Sequence, residues 1–315
     1  MSKIDVVIPM FNGEKYIGRA LDSLIAQTLT PNKVIVVDDG STDSSLEIIK
    51  WYQSKMPNLF VLPGAHKGVS AARNTGILAS SGSYIAFLDC DDYWSREKLQ
   101  NQMNHFKEHP NCVAVFSNCF INDEISHSEY KAVVNRTYKF SHMNIITQRF
   151  RVLGSASSIS IARAALDDVG LFDESFDYGE DYEQWVRLSR DFEICELSNI
   201  DVYISKRENS MQTSEKIGMS RFRNATAYIK VWIKYPEALK SERRELERLI
   251  FPDLAKALLA APRDLMVFHR LIKDNYQEIH QSLFSNRTHV SFFYIRNFAR
   301  TPTITFRSLL RKNLG

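Results

Sequence analysis

The sequence predicts an α/β fold in which a mostly parallel central sheet is flanked by helices. Two observations support this class. Along the first third of the chain, short runs rich in Val and Ile alternate with stretches of helical periodicity. These runs also lack the polar–apolar alternation of a half-exposed strand, so both of their faces must be buried, as in a parallel sheet. Ligands of such sheets bind at the carboxyl ends of the strands.

The elements follow one another in a regular strand–helix order. Strands are predicted at 4–9, 33–39, 59–62 and 83–89, and helices at 13–29, 46–54 and 68–80. Further along, the pattern predicts a strand at 112–121, a strand followed by a short helix at 157–166, and a helix at 180–190. From about residue 217 the periodicity is helical to the end. We therefore expect two domains, residues 1–216 and a helical C-terminal region, residues 217–315.

Bulk composition narrows the class of protein. The 315 residues are 44% hydrophobic and 24% charged, with a net charge of +3, as in a folded globular chain. The four cysteines form no C-x-x-C pair and no histidine cluster flanks them, so the sequence predicts no zinc site and reduced, cytoplasmic thiols. The sequence contains no run of 18 apolar residues, so a membrane-spanning helix is not expected. The N-terminus does not resemble a signal peptide.

The C-terminal tail is strongly basic. Six Lys or Arg residues follow from Arg287 to the end, without any Asp or Glu. This pattern, mixed with aromatic residues, is typical of a segment that meets an anionic surface such as the cytoplasmic membrane. A packed helical element with solvated arginines fits equally well. No nucleic-acid partner is predicted, because the basic residues lie outside any recognised binding motif.

A cluster of acids ends the strand predicted at 83–89. Asp89, Asp91 and Asp92 arrive within the segment FLDCDDYW, where like charges repel one another. A hard cation such as Mn²⁺ or Mg²⁺ would relieve that repulsion, and carboxylate oxygens are its preferred ligands. The alternative is a polar loop with Asp92 capping the next helix, but three acids exceed what a cap requires.

A second acidic pair, Asp38 and Asp39, ends the strand at 33–39. Phe11 and Asn12 follow the first strand, so an aromatic ring and an amide are expected beside these carboxylates. A carboxylate that accepts from a ring N–H of a nucleotide base, together with an aromatic side chain stacked on that base, would hold the base in place. The simpler interpretation is that the acids cap the following helix.

Two further motifs have both a functional and a plain interpretation. Gly68 allows a close turn before a helix whose N-terminus, with the fork of Arg73, would hold phosphate. Alternatively the helix is amphipathic and Arg73 is solvated. Glu180 and Asp181 open another helix, where one carboxylate would act as a general base, or both would simply favour the helix dipole.

These segments together resemble the family 2 glycosyltransferases, over roughly residues 3–205. The resemblance lies in five stretches with matching order and spacing: VVIPMFNGEKYI, QTLTPNKVIVVDDGSTD, GVSAARNTGI, YIAFLDCDDYW and GLFDESFDYGEDYEQWVRL. It implies the GT-A nucleotide-diphospho-sugar transferase fold for residues 1–216. It does not extend over residues 217–315, for which we expect a role in binding the acceptor or the membrane surface.

The resemblance also implies roles for the residues. The D-x-D motif would be Asp89–Cys90–Asp91, with Asp92 adjacent, and would hold the metal on the donor diphosphate. Asp39 would accept from the base. Phe11 stands where the family usually has Tyr, so stacking is kept and a hydroxyl is lost. Pro9 would shape this loop and Arg73 would lie near the diphosphate. The catalytic base would be Asp181, with Glu180 next to it.

The implied activity is a metal-dependent, inverting transfer of one sugar. The donor would be a nucleotide-sugar, with UDP favoured by family habit, and the acceptor a hydroxyl of a glycan or lipid-linked glycan of the bacterial surface, such as O-antigen, lipooligosaccharide or capsule. The Q-x-x-R-W motif of processive synthases is absent. Alternatives are a sugar-1-phosphate nucleotidylyltransferase, whose Gly-rich segment is missing, a receiver-like regulatory domain, which is much shorter, and a non-catalytic nucleotide-sugar-binding scaffold.

Overall fold

The computed structural model describes residues 2–123, 128–132, 138–140, 155–176 and 178–206, together with residues 227, 230–231 and 234–235. All of these belong to one compact unit, residues 1–260. The basic tail and nearly all of the predicted helical region, residues 217–315, lie outside the described residues. The predicted domain boundary near residue 216 therefore stays a prediction.

The described part of the chain contains ten strands and six α-helices. The strands are β1 Ile4–Met10, β2 Lys33–Asp38, β3 Leu59–Pro63, β4 Tyr84–Phe87, β5 Tyr93–Trp94, β6 Cys112–Asp123, β7 Ser128–Ala132, β8 Tyr138–Phe140, β9 Ile159–Ala162 and β10 Glu193–Lys206. The helices are α1 Ile17–Ile25, α2 Ser45–Gln53, α3 Val69–Ala79, α4 Lys98–Glu108, α5 Arg163–Val169 and α6 Glu180–Asp191.

One sheet joins the ten strands, in the order β3-β2-β1-β4-β9-β6-β10-β5, with β7 on β6 and β8 on β10. Strands β1 to β4 are parallel to one another, and β6 is parallel to β10. The predicted α/β class with a mostly parallel sheet is confirmed. The short strand β9 runs antiparallel between β4 and β6 and connects the two parallel groups.

Strand β10 is the main element that the sequence pattern does not predict. It is the longest described strand and pairs with β6 from Glu193 to Lys206. Polar residues interrupt its apolar pattern, and the register shifts between Leu197 and Ile200. Because the local periodicity of a strand is lost at such irregularities, long-range pairing with β6 decides this segment.

Two elements are shorter than predicted: α1 begins later and β4 ends earlier. Helix α1 begins at Ile17 and not at residue 13, since Tyr16 and Ile17 both donate backbone N–H bonds to the carbonyl of Gly13 in a turn. Strand β4 ends at Phe87, and the segment after it closes a turn in which the N–H of Asp92 donates to the carbonyl of Asp89 at 3.0 Å. The acids therefore follow the strand end, as predicted, but lie on a turn.

The core lies on both faces of the parallel strands. Every residue of β1 is buried, and α1 packs Ile17, Leu21 and Leu24 against one face of the sheet. Burying side chains of this size contributes roughly 1.5–3 kcal/mol each. Helix α3 covers the opposite face, where Gly76 allows it to approach Val7 of β1 closely. This packing fixes the direction in which α3 enters the carboxyl ends of the strands.

A buried carboxylate also aligns β1 with β4. Asp5 accepts from the backbone N–H groups of Ser81 at 2.6 Å and Gly82 at 2.7 Å, and from Nδ2 of Asn32 at 2.7 Å. Three donors compensate the burial of its charge. These bonds hold β1 and β4 in register at their amino ends, opposite the strand ends that bear the acids. Among the described helices, none is long and apolar enough to cross a membrane.

Replacing Gly76 by Ala tests the close approach of α3. A Cβ atom at this position would overlap Cγ1 of Val7. Helix propensity alone favours Ala by about 1 kcal/mol, but overpacking costs roughly 1–3 kcal/mol, so we expect Gly76→Ala to lower the free energy of unfolding. Urea denaturation measures this. Leu78→Ala on the same helix, whose side chain is 72% exposed, should change it by less than about 0.5 kcal/mol. A stabilised Gly76→Ala variant would contradict the packing described here.

Candidate functional site

A cavity of about 1000 Å³ opens at the carboxyl ends of β1, β2, β4 and β10 and at the N-termini of α3 and α6. Eleven of the twelve residues that the sequence singles out line it: Pro9, Phe11, Asn12, Asp39, Gly68, Arg73, Asp89, Asp91, Asp92, Glu180 and Asp181. The exception is Asp38, whose Oδ1 accepts from the N–H of Ser41 at 3.1 Å in the loop that leads to α2. Asp38 thus holds the loop before α2, which begins at Ser45, and does not cap that helix itself.

One end of the cavity presents an aromatic wall. The ring of Phe11 is 50% exposed and lies 5.3 Å from the ring of His66, centroid to centroid. Nδ1 of His66 makes a 2.7 Å hydrogen bond with the carbonyl oxygen of Asp39, which fixes the orientation of the imidazole. His66 adopts φ of 52° and was not identified from the sequence. A flat ligand entering here would meet two rings.

The carboxylate of Asp39 is positioned by backbone donors. Its Oδ2 accepts from the N–H of Gly68 at 2.8 Å and its Oδ1 from the N–H of Lys67 at 3.2 Å. Gly68, at φ of 92°, therefore donates its N–H to Asp39, so this N–H is not available to a phosphate. Gly64 completes the arrangement, since a Cβ there would lie 2.7 Å from Oδ1 of Asp39. Each carboxylate oxygen keeps a second lone pair for a ligand.

Asn12 connects two loops through its backbone N–H and its amide oxygen. Its backbone N–H donates to Oγ of Ser41 and its Oδ1 accepts from the N–H of Thr42, both at 2.8 Å. Its φ of 50° lies in the left-handed region, which Asn tolerates better than most residues. These bonds fix the shape of the cavity wall at Asn12.

The acidic segment after β4 divides into different environments. Asp92 is buried, and its Oδ2 accepts from Oγ of Ser157 at 2.6 Å and from Oγ of Ser155 at 3.1 Å. Burial, and then the charges of Asp91 and Asp89, raise the pKa of Asp92. Ser157 also accepts from the N–H of Asp89 at 3.0 Å, so this serine aligns the segment. No sequence signal distinguishes Ser155 and Ser157 from other loop serines.

Arg73 connects the two acidic motifs. Its guanidinium is buried and donates from NH2 to Oδ1 of Asp89 at 2.9 Å and from NH1 to Oε1 of Glu180 at 2.7 Å. Burial lowers the pKa of Arg73, but the charges of Asp89 and Glu180 outweigh it and raise that pKa above its ordinary value. Both sequence-based interpretations need correction. Arg73 is not solvated, and its fork is engaged by two carboxylates rather than open to a phosphate.

Asp181 is the half-buried carboxylate of the second motif. It lies in the first turn of α6, after Gly179 in the left-handed region at φ of 78°, and its Oδ1 accepts from the N–H of Tyr182 at 2.7 Å. Burial, and then the neighbouring charge of Glu180, raise the pKa of Asp181 to about 7, against the opposing charge of Arg73. A carboxylate with this pKa exchanges protons near neutral pH.

The cavity carries an excess of negative charge. Among its lining residues are eight acids, against Lys15 and the already paired Arg73. This excess and the oxygen donors of Asp89 and Asp91 fit a hard divalent cation. Asp92 fits less well than the sequence suggests, because its carboxylate is engaged by two serines. Within the described residues, no three acidic side chains bring their oxygens within 4.8 Å of one another.

Comparison with protein families gives one match. The model described as glycosyl transferase family 2 matches residues 5–169, more than half of the chain. An uncharacterized glycosyltransferase of Rickettsia prowazekii is 31% identical over 67% of this chain and 65% of its own length. A poly(ribitol-phosphate) beta-glucosyltransferase of Bacillus spizizenii is 40% identical over 36% of this chain and 18% of its own length. The chain thus spans less than two thirds of these curated relatives.

Solved structures show the same fold. TarS 1-349 of S. aureus, in a crystal structure with UDP-GlcNAc, superposes with a TM-score of 0.62 at 23% identity. The superposition covers 84% of this chain and 75% of the other. At this identity the likeness concerns the fold, which confirms the predicted GT-A architecture.

Removing the guanidinium of Arg73 tests the bridge. Arg73→Met leaves Asp89 and Glu180 without their common partner, which for a buried ion pair costs roughly 3–5 kcal/mol of unfolding free energy. Arg190→Met, in an exposed pair with Asp191, should cost less than about 1 kcal/mol. Urea denaturation at neutral and acidic pH measures both. The deficit of Arg73→Met should shrink in acid, where the two carboxylates become protonated, and a deficit independent of pH would instead indicate lost packing.

Proposed function

The chain belongs to glycosyl transferase family 2, and from that membership we propose that it is a metal-dependent, inverting glycosyltransferase. It moves one sugar per encounter from a nucleotide-sugar donor to a hydroxyl of a glycan or lipid-linked glycan. One observation carries the proposal: a single cavity is lined by an aromatic ring with a carboxylate at Phe11 and Asp39, by the acids Asp89 and Asp91, and by Asp181.

The donor base is proposed to bind between Phe11 and Asp39. The half-exposed ring of Phe11 offers a stacking face, and Asp39 retains lone pairs for a ring N–H of the base. His66 adds a second ring at this end. A UDP-sugar is the favoured donor, which is supported by the UDP-GlcNAc complex of TarS, a protein of the same fold.

The proposed cation, Mn²⁺ or Mg²⁺, would be held by Asp89 and Asp91. When bound, it would neutralise the diphosphate that leaves with the nucleotide. The protein prepares this position through Arg73, which fixes Asp89 from behind, and through Ser157, which accepts from the N–H of Asp89. Asp92, held by Ser155 and Ser157, aligns the segment.

Asp181 is the proposed general base. Its carboxylate accepts the proton of the acceptor hydroxyl while the hydroxyl oxygen forms a bond to the anomeric carbon. The bond between that carbon and the diphosphate oxygen breaks at the same time, and its electron pair leaves with the nucleotide. Attack from the opposite face inverts the centre, so an α-linked donor gives a β-glycoside. Glu180 stays paired with Arg73 and maintains the raised pKa of Asp181.

The acceptor is proposed to be a bacterial surface glycan or its lipid-linked precursor. The similarity to a poly(ribitol-phosphate) beta-glucosyltransferase supports a surface polymer and a β-linkage. Lipopolysaccharide, O-antigen and capsule belong to the same class of product. The basic tail after Arg287, which lies outside the described residues, would bring the protein to the cytoplasmic face of the membrane, where lipid-linked acceptors are found.

Binding and slow hydrolysis of a panel of nucleotide-sugars test the class. We expect one UDP-sugar to bind and hydrolyse with Mn²⁺ or Mg²⁺, and both signals to disappear with EDTA or in Asp91→Ala. Asp167→Ala, at an exposed aspartate outside the cavity, serves as the matched control and should behave like the wild type. Failure of every nucleotide-sugar to bind would refute the proposal, whereas binding without any hydrolysis would favour the non-catalytic scaffold.

Replacing the base tests the assignment of Asp181. Asp181→Asn keeps the shape of the side chain but cannot accept a proton, so the transfer rate should fall roughly 10²–10⁴-fold. Donor affinity, measured by calorimetry with the cation present, should change little. Glu180→Gln should instead weaken the pair with Arg73 and lower stability as well as rate. Full transfer activity in Asp181→Asn would exclude this residue as the base.

The pH dependence follows from the raised pKa of Asp181. The base is protonated and inactive below that pKa, so kcat/KM should rise with pH and reach a plateau above about 7. Stability should change in the opposite direction. A raised native pKa means that the native state binds more protons than the unfolded chain between the ordinary value of 3.8 and about 7, so this contribution is lost as pH rises. At pH above 7, Asp181→Asn should therefore be more stable than the wild type, and a less stable variant would argue against the shift.

A further inference from the structure

Three side chains of types that can bind a metal lie together near the amino ends of β6 and β10, away from the cavity. His105 lies in the last turn of α4, Cys112 begins β6, and Cys195 lies near the start of β10. Their ligand atoms all lie within 4.8 Å of one another, and all three side chains are buried. No other such group occurs among the residues that the structure describes. The sequence predicts no zinc site because no histidine cluster flanks the cysteines, but the fold brings His105 to two of them.

This group is separate from the cavity. Strands β6 and β10 are parallel, and the residues of β10 that line the cavity, Ile204 and Ser205, lie at its opposite end. Ile204 lies nine positions after Cys195 along β10, which corresponds to roughly 30 Å in a regular strand at 3.3 Å per residue. No step of the proposed transfer involves these residues.

The surroundings of the group are apolar. Phe106, Val115 and Leu197 pack around the two cysteines. The hydrogen bond with Cys195, and then burial, raise the pKa of the Cys112 thiol. A divalent cation that replaces the two thiol protons restores a net charge of zero, with a neutral imidazole as third ligand. A neutral group avoids the large cost of burying net charge.

We propose that His105, Cys112 and Cys195 form a structural zinc site. One nitrogen and two sulfurs are the ligands that zinc prefers, and three protein ligands leave one tetrahedral position. Donor atoms around a tetrahedral zinc lie about 3.5–3.8 Å apart. Ligand atoms that already lie within 4.8 Å of one another therefore need to approach by at most about 1.3 Å. On binding, both thiol protons pass to solvent and two zinc–sulfur bonds and one zinc–nitrogen bond form.

Two neighbouring side chains lie close to the group. Oε1 of Glu193 lies 3.7 Å from Sγ of Cys195, and the ring of His109 lies 4.3 Å from that of His105, centroid to centroid. The N–H of Cys112 donates to the carbonyl of His109, and the N–H of His109 donates to the carbonyl of His105. The segment from α4 to β6 is therefore compact, and a zinc here would join α4, β6 and β10.

Cobalt binding tests the site directly. Metal-free, reduced protein is titrated with Co²⁺, which takes the place of Zn²⁺ and shows a thiolate-to-cobalt charge-transfer absorption. We expect one equivalent to give this absorption, Zn²⁺ to displace it, and both Cys112→Ala and Cys195→Ala to lack it. Cys119→Ala, at another buried cysteine of β6 outside the group, is the matched control and should retain it.

Two further controls separate the alternatives. Cys90 lies between Asp89 and Asp91, so Cys90→Ala must keep the absorption, and its loss would locate the cobalt in the cavity and overturn the proposal. A reduced wild type that binds no Co²⁺ would also overturn it, and a Cys112–Cys195 disulfide found by peptide mapping would then identify a redox pair. Where a variant folds poorly, the thermal stability of the wild type with Zn²⁺ tests the site instead. Zn²⁺ at 100 times its Kd should raise its Tm by several degrees, and an unchanged Tm would contradict a structural site.

Discussion

The buried guanidinium of Arg73 is the contact on which the rest of the site depends. It joins Asp89 to Glu180, which lies 107 residues further along the chain from Arg73 itself. Gly68 immediately precedes the same helix, α3, and its N–H donates to the carboxylate of Asp39. One helix therefore contacts all three acidic motifs. Because α3 is seated closely on β1, the position of these motifs is set by the sheet rather than by the loops that bear them.

The electrostatics of the site are a balance between burial and a few specific charges. Burial and Glu180 make Asp181 a weaker acid, while Arg73 acts in the opposite direction. Asp92 shows the same effect, since the two acids beside it hinder its ionisation and two serine hydroxyls partly compensate. Such arrangements reduce stability. They are retained where a group must exchange protons or hold a cation near neutral pH.

The sequence predicts the features that local signals determine. Parallel strands bring their carboxyl ends to one edge, so acids that follow β2 and β4 could be placed in one cavity without knowledge of their contacts. The partners of Arg73 could not be predicted, because Asp89 and Glu180 lie on other elements and only the folded chain brings them to α3. Polar interruptions concealed β10, and with it the meeting of Cys195 and Cys112. His66, Ser155 and Ser157 are ordinary loop residues in sequence, and only the folded chain assigns them contacts.

The acidic lining of the cavity has a kinetic consequence. Although the whole chain carries a net charge of +3, a nucleotide anion that approaches this opening meets eight acidic side chains. Long-range forces would therefore repel the free anion and slow its encounter, and dissolved salt, by screening that repulsion, would accelerate association rather than retard it. A nucleotide already complexed with a divalent cation would escape most of this barrier. For the proposed metal-dependent transfer, the sign of the field at the mouth of the cavity would thus favour the nucleotide–cation complex over the free anion before any contact is made.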